Sequence, residues 1–242
     1  MSFKSTVFFT FFLWVGLSDL IAQNLFIRPI RTEVTIHAGL SAETLKWQGQ
    51  QGNVQDRQDL LMEPGFFGGI EVESYKNRYS LAYTGSYRLQ TGIFDQFVCL
   101  PVIPRDCILN DDLNLQIVSL GIEVRAQFGQ EQRMNWYAGG GPQLNIGFME
   151  FTRFVERVNE DESVEYFNGT RSESRIAPGL RVTGGLKYSI SENLSLDFRT
   201  QLQAYYFKNF DSDDSDFFAD FFNSRMGAVS IIPTIGVSYR VF

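Results

Sequence analysis

With 242 residues, 44% apolar and 20% charged side chains, the chain has the composition of one large folded domain or two small ones and not of a disordered protein. Its net charge of −7 argues against nucleic acid as the main partner, and a single His excludes a histidine-rich metal centre. Aromatic residues reach 15%, with 23 Phe and 10 Tyr but only 3 Trp.

Residues 1–23 read as a secretory signal. Lys4 provides the positive start, Val7–Leu17 the apolar run, and Ser18–Gln23 a more polar end with a cut after Ala22 or Gln23. That run is about half of the ~20 residues needed to span a bilayer. No later stretch holds 18 consecutive apolar residues. The expectation is an exported domain, 24–242, without a transmembrane helix.

From there the chain alternates with a period of two. In Tyr79–Leu89 the odd positions are Tyr, Leu, Tyr, Gly, Tyr and Leu, and the even ones are Ser80, Ala82, Thr84, Ser86 and Arg88. This is a strand with one apolar and one polar face. The pattern recurs at about 30–41, 65–75, 115–128, 135–147, 177–190, 194–206 and 228–241. Segments of this length exceed the ~5–6 residues of an ordinary strand and suit a tilted membrane strand of ~9–11. The charged residues Arg31, Glu33, Glu71, Glu73, Arg88, Glu123, Arg125, Arg181, Lys187, Asp197, Arg199 and Arg240 all share the parity of the polar face, as does His37. Val118, Leu120, Ile122, Val124, Leu180, Val182, Ile235 and Val237 share the other.

Periodicity alone fits either a soluble barrel with an apolar core or a membrane barrel with an apolar outside. Three features favour the membrane. Short links at 76–78, 129–134 and 191–193 alternate with long ones at 42–63, 91–112, 149–175 and 207–227, and such loops are uncommon in compact soluble domains. Tyr79, Phe128, Trp136, Tyr188 and Tyr239 lie on the apolar face at the short-turn end, with Phe66, Tyr87 and Tyr206 toward the other end, as two interfacial girdles would. The polar face also carries Gly121, Gly139, Gly141, Gly185 and Gly236, leaving room for long charged side chains to pair across a narrow lumen. Pro142 and Pro233 lack a ladder donor, so local bulges are expected there.

The expected fold is therefore all-β. It is an eight-stranded antiparallel up-and-down transmembrane barrel with three short periplasmic turns and four long extracellular loops. The ending Ile235-Gly-Val-Ser-Tyr-Arg-Val-Phe242 is similar to the C-terminal signal of outer-membrane barrels. With the strand pattern over 24–242, the chain resembles the small outer-membrane β-barrel family of Gram-negative bacteria, the OmpA transmembrane domain and OmpX among them. The Ile-Ala-Gln end of the signal resembles those of Bacteroidota exported proteins. The resemblance implies location in the outer membrane with periplasmic termini. It also implies contact with outer-membrane lipid and lipopolysaccharide, and insertion by the barrel-assembly machinery.

Cys99 and Cys107 share the second long loop and are expected to form a disulfide after export. His37 reads either as a catalytic base, since some barrels of this class modify lipid A, or as a hydrogen-bonded lumen residue. The second is expected, because a His pointing into the lumen does not readily reach a lipid and catalysis needs a nucleophile and an orienting acid beside it. Asp211-Ser-Asp-Asp-Ser-Asp216 lacks the Gly and terminal Glu of a calcium loop and reads as a solvated acidic stretch. Phe217, Phe218, Phe221 and Phe222 beside it form a contact surface or rim packing. The four long links hold 20 acids and 9 bases, a net of −11. No catalytic, metal or cofactor site is expected. The functional expectation is a non-enzymatic surface protein with a structural, adhesive or binding role through its loops. The alternatives are a secretion component like the PorT-type barrels of Bacteroidota with a secretion-machinery partner, a lipid A-modifying enzyme, or a narrow channel.

Overall fold

The computed structural model describes residues 31–51, 54–94, 98–99, 105–129, 133–159, 161, 163–207 and 225–241. The signal segment and the 211–222 acidic and Phe cluster lie outside these residues. Ten strands follow in order: β1 Arg31–Gln51, β2 Val54–Leu61, β3 Gly65–Lys76, β4 Tyr79–Phe94, β5 Val98–Cys99, β6 Arg105–Phe128, β7 Met134–Val158, β8 Val164–Ser189, β9 Leu194–Phe207 and β10 Arg225–Arg240.

Eight of them close a ring in the order β1, β3, β4, β6, β7, β8, β9, β10, with β10 pairing back onto β1. Every pairing is antiparallel. The register fixes the geometry of closure. The paired residues Lys187, Asp197, Gly236, His37, Gly69, Ser86, Ser119, Asn145 and Ala177 make one circuit. The circuit leaves β8 at Lys187 and returns to it at Ala177, a stagger of ten residues. Eight strands with that stagger tilt by about 40° and enclose an interior only wide enough for side chains.

The turn end is tight. Lys76 pairs with Tyr79, so Asn77 and Arg78 alone make the turn, with Asn77 at φ 56°. Asn tolerates this left-handed backbone better than most residues. At the next turn Gly129 takes φ 82°. In the third, the Ile190 N–H donates to the Leu194 carbonyl at 2.9 Å.

At the other end the strands run much farther than the sequence pattern indicated. β7 and β8 stay paired from Met134–Tyr188 to Val158–Val164, so most of 149–175 is hairpin and not loop. Likewise β1 and β2 pair from Thr44–Leu61 to Gln51–Val54 across 42–63. β2 passes into β3 through Met62, Glu63 and Pro64, where Leu61 faces Thr44 but Gly65 faces Ser41. One extra residue is accommodated there as a bulge, and Met62 turns inward.

The physical reason is an exchange of faces along each strand. On β6, Val118, Leu120, Ile122, Val124 and Phe128 point out, over an inner row of Ser119, Glu123, Arg125 and Gln127. Above them the inner row becomes Leu113, Leu115 and Ile117, and the outer row Asp112, Asn114 and Gln116. β7 changes in the same way between Phe148, outward, and Met149, inward. The lower zone is apolar outside and charged inside. The upper zone has an apolar interior of Leu45, Met62, Leu113, Leu115, Ile117, Met149, Phe151, Ala177, Tyr205, Phe207 and Ala228. On β7 the outward apolar run Trp136–Phe148 covers about 30 Å of height at ~3.3 Å per residue and the above tilt, the thickness of a bilayer core.

The prolines do not produce bulges. β7 and β8 keep one register through Pro142–Leu180, and β9 and β10 through Pro233–Thr200. A glycine absorbs the strain instead. A Cβ on Gly141 would sit 1.9 Å from the Ile122 carbonyl oxygen, and one on Gly39 would sit 2.1 Å from the Pro233 carbonyl oxygen. On that side the ladder is interrupted, at 122–123 against 141–142 and at 40–41 against 232–233, without a change of register, and the strands there approach as closely as only glycine allows. Gly141→Ala is therefore expected to lower stability by about 1–3 kcal/mol through overpacking, read as a lower urea midpoint. Gly184→Ala, where an added Cβ meets nothing within 4 Å, is the control.

Candidate functional site: the lumen

The residues that share the polar parity point into the ring. Arg125, on β6, is the hub and is wholly buried. Its Nη1 and Nη2 donate to the two Glu71 carboxylate oxygens at 2.7 and 2.6 Å, a bidentate pair. Nη2 also donates to Glu123 at 2.8 Å, and Nη1 reaches Glu73 at 3.3 Å. Arg199, on β9, donates to Glu71 at 2.6 Å and is paired with Asp197. Lys187, on β8, donates to Glu73 at 2.6 Å and Glu33 at 3.0 Å, and touches the Tyr75 hydroxyl. Arg181 donates to Thr84 at 2.7 Å, Gln143 at 3.0 Å and Glu123 at 3.2 Å. The Tyr137 hydroxyl donates to Asp197 at 2.8 Å, and the Arg125 guanidinium stands 5.1 Å from the centre of the same ring.

One connected cluster thus crosses the lumen in its lower half. Its carboxylates are Glu33, Glu71, Glu73, Glu123 and Asp197, and its cations are Arg125, Arg181, Lys187 and Arg199. Arg31, partly exposed at the turn end, adds a contact to Glu33. Burying so many charges costs heavily unless each is matched and hydrogen-bonded. Here nine charged side chains from five strands share the work of matching them.

A second, smaller cluster lies higher. Arg88 donates to Glu43 at 2.8 Å, Ser230 at 2.5 Å and the Tyr205 hydroxyl at 2.9 Å, and Tyr205 also bonds Glu43. The apolar interior packs above and around it. The lumen is therefore filled by ion pairs below and apolar side chains above.

Two of the polar-face residues stand apart from these clusters. His37 is buried, stacks on Phe67 at 5.5 Å, and leaves Nδ1 without a hydrogen-bond partner. No hydroxyl or carboxylate holds it in a catalytic arrangement among the described residues. Arg240 faces Glu33 in the register but is half-buried at the rim and makes no ion pair with a described residue. Sequence reasoning missed Glu43, Tyr75, Tyr137 and Tyr205. The three tyrosines lie on the inward parity, which was signal enough. Glu43 was hidden inside a stretch read as loop.

The outer wall is the reverse of a soluble surface. Ile36, Leu40, Ile70, Leu120, Leu180, Val182, Ile235 and Val237 are exposed, Leu180 by 65%, while Arg125 behind them is 0% exposed. Tyr79, Phe128, Trp136 and Tyr239 are exposed at the turn end of this band, and Tyr188 is half-exposed. A continuous apolar wall around a charged interior is the arrangement that lipid as solvent demands. The molecule is a transmembrane β-barrel.

No protein-family model matches the sequence, and no curated protein matches it. Solved structures do match across most of the chain. Neisserial surface protein A has 16% identity and a TM-score of 0.36, over 85% of this chain and 96% of its own. Ail, the attachment invasion locus protein of Yersinia pestis, has 14% identity and a TM-score of 0.33, over 87% and 99%. The outer membrane protein OprG from Pseudomonas aeruginosa has 11% identity and a TM-score of 0.43, over 86% and 95%.

Cys99 and Cys107 face one another directly across the β5–β6 pairing. The same stretch of β6 also pairs with β7, from Ile108–Val155 to Arg105–Val158, after a one-residue register shift between Ile108 and Asn110.

Proposed function

We propose that this is an outer-membrane surface protein without enzymatic activity, whose projecting hairpins carry a structural, adhesive or binding role. The observation that carries the reading is the paired extension of β7 and β8 beyond the apolar band. From Met149 to Val158 the hairpin continues about 25 Å above it, by the same rise and tilt. A closed and plugged barrel that lifts a paired hairpin away from the membrane is built to present a surface, not to pass solute. Tyr166, 72% exposed, with Val164 and Phe167, gives the hairpin end apolar area for contact.

In this reading residues 1–23 direct export, the termini and tight turns face the periplasm, and the hairpins face outward. Lipopolysaccharide surrounds the upper wall, and the barrel-assembly machinery inserts the chain. The purified barrel is expected to give no stepwise conductance in planar bilayers. Regular open steps of a water-filled pore would contradict the plugged lumen.

The role of the hairpin is tested by replacing Glu156–Tyr166 with an Asn-Gly turn. The shortened protein should still fold and reach the outer membrane, yet fail to restore the surface phenotype lost on deletion of the gene. Full restoration by the shortened protein would place the function elsewhere in the barrel.

The Cys99–Cys107 pair is proposed to be a disulfide. Directly opposed antiparallel residues hold their Cα atoms about 4.5–5.5 Å apart, within disulfide range. Mass spectrometry after alkylation without reductant should find neither thiol modified. Two alkylated cysteines in protein purified from membranes would contradict the bridge.

A further inference from the structure

Among the described residues, the two ends of the outer wall carry side chains of opposite charge. At the turn end Arg78 and Arg133 are exposed, Lys76 is half-exposed on the outward side, and Arg31 and Arg240 are half-buried at the same rim. Glu192 is the one exposed acid in the described turn residues of this end. At the other end, Glu63 and Glu150 point outward just above the apolar band, and Glu156 does so farther up the hairpin.

The cations stand at a defined depth. Arg78 precedes Tyr79, Arg240 follows Tyr239, and Arg133 lies three residues before Trp136. Those aromatic residues are the exposed girdle at the foot of the apolar band. Girdle aromatics settle at the level of lipid headgroups, and long cationic side chains beside them reach the phosphates. Arg31 is matched by Glu33 in the lumen. Arg78 and Arg133 have no role in the plug and are available to the lipid surface.

We propose that this rim binds the phosphate groups of anionic phospholipids and selects them over zwitterionic ones. The proposal rests on the transmembrane reading above and adds a lipid class to it. A cluster of basic residues next to a membrane surface attracts anionic headgroups, and the attraction falls within a Debye length and with added salt.

Trp136 is the built-in reporter. With Trp14→Phe and Trp47→Phe it becomes the sole tryptophan of the chain. The full chain is refolded into phosphatidylcholine vesicles that contain either dibrominated phosphatidylglycerol or dibrominated phosphatidylcholine at equal mole fraction. Bromine quenches Trp136 in proportion to occupancy of the neighbouring lipid sites. At low salt the phosphatidylglycerol probe should show an apparent affinity about threefold higher or more. The preference should fall to about one in ~0.5 M NaCl and in the Arg78→Gln/Arg133→Gln variant. Equal quenching by both lipids, or selectivity retained by that variant, would overturn the proposal. Absence of quenching by either lipid would instead overturn the membrane reading itself.

Discussion

Arg125→Leu is expected to abolish stable folding of the barrel. The substitution keeps volume in the lumen but leaves Glu71, Glu73 and Glu123 without the guanidinium that all three contact. Breaking one buried pair by removing a partner costs about 3–5 kcal/mol, a large share of the stability of a single domain. Three carboxylates are affected here, and among the described residues Glu71 retains only Arg199 as an ion-pair partner. Arg125→Lys restores the charge but not the two parallel bonds to Glu71, so partial recovery is expected. The measurement is the fraction of heat-modifiable protein after refolding in detergent, followed by urea unfolding. An unfolding free energy for Arg125→Leu within about 1 kcal/mol of wild type would mean that the ion pairs are passengers in a barrel held by its ladder alone.

The second large effect is Leu120→Arg. Leu120 is 47% exposed on the outer wall and lies in the middle of the β6 apolar run. A cation there must enter the bilayer interior at about 2–4 kcal/mol. Ser172→Arg is the control, because Ser172 is exposed on the outer face of β8 opposite Glu150, above the Phe148 boundary. Refolding into vesicles should fail or slow markedly for the first and proceed normally for the second. Equal yields would show that the outer wall does not face lipid at Leu120.

The contrast between these two positions shows what the sequence made legible. In the lower zone, parity alone separates lipid-facing Leu120 and Val124 from lumen-facing Glu123 and Arg125. The interior there is charged and the exterior is oil, so the alternation is sharp. The upper zone was not legible as strand because the exterior changes from lipid to water while the interior turns apolar. Apolar residues then move to the other parity, at the doublets Ile117–Val118 and Phe148–Met149. A search for one continuous apolar face stops at such a doublet. It assigned Met149, Phe151 and Val155 to a loop although all three are buried inside the barrel. The doublets were themselves the missing signal, since adjacent apolar residues mark the height where the surrounding solvent changes.

The same exchange explains the misplacement of Glu43. It lies on the inward face of β1 and bonds Arg88 and Tyr205, partners distant in sequence that only the closed ring brings near. The proline expectation failed for a local reason. A bulge is one way to manage a missing donor, but Gly141 beside Pro142 and Gly39 across from Pro233 offer another that preserves register. Preserving register matters here, because a one-residue slip would turn a lumen charge toward lipid.

The central claim is that the apolar wall faces lipid and the charged wall faces the lumen. Its most direct test is electrophoresis of fractionated cell membranes without and with boiling. A closed barrel of this kind should be recovered in the outer-membrane fraction, resist detergent unboiled, and change its apparent mass on heating. Recovery as a soluble periplasmic protein with no heat-dependent shift would contradict the account and make the apolar wall a soluble core.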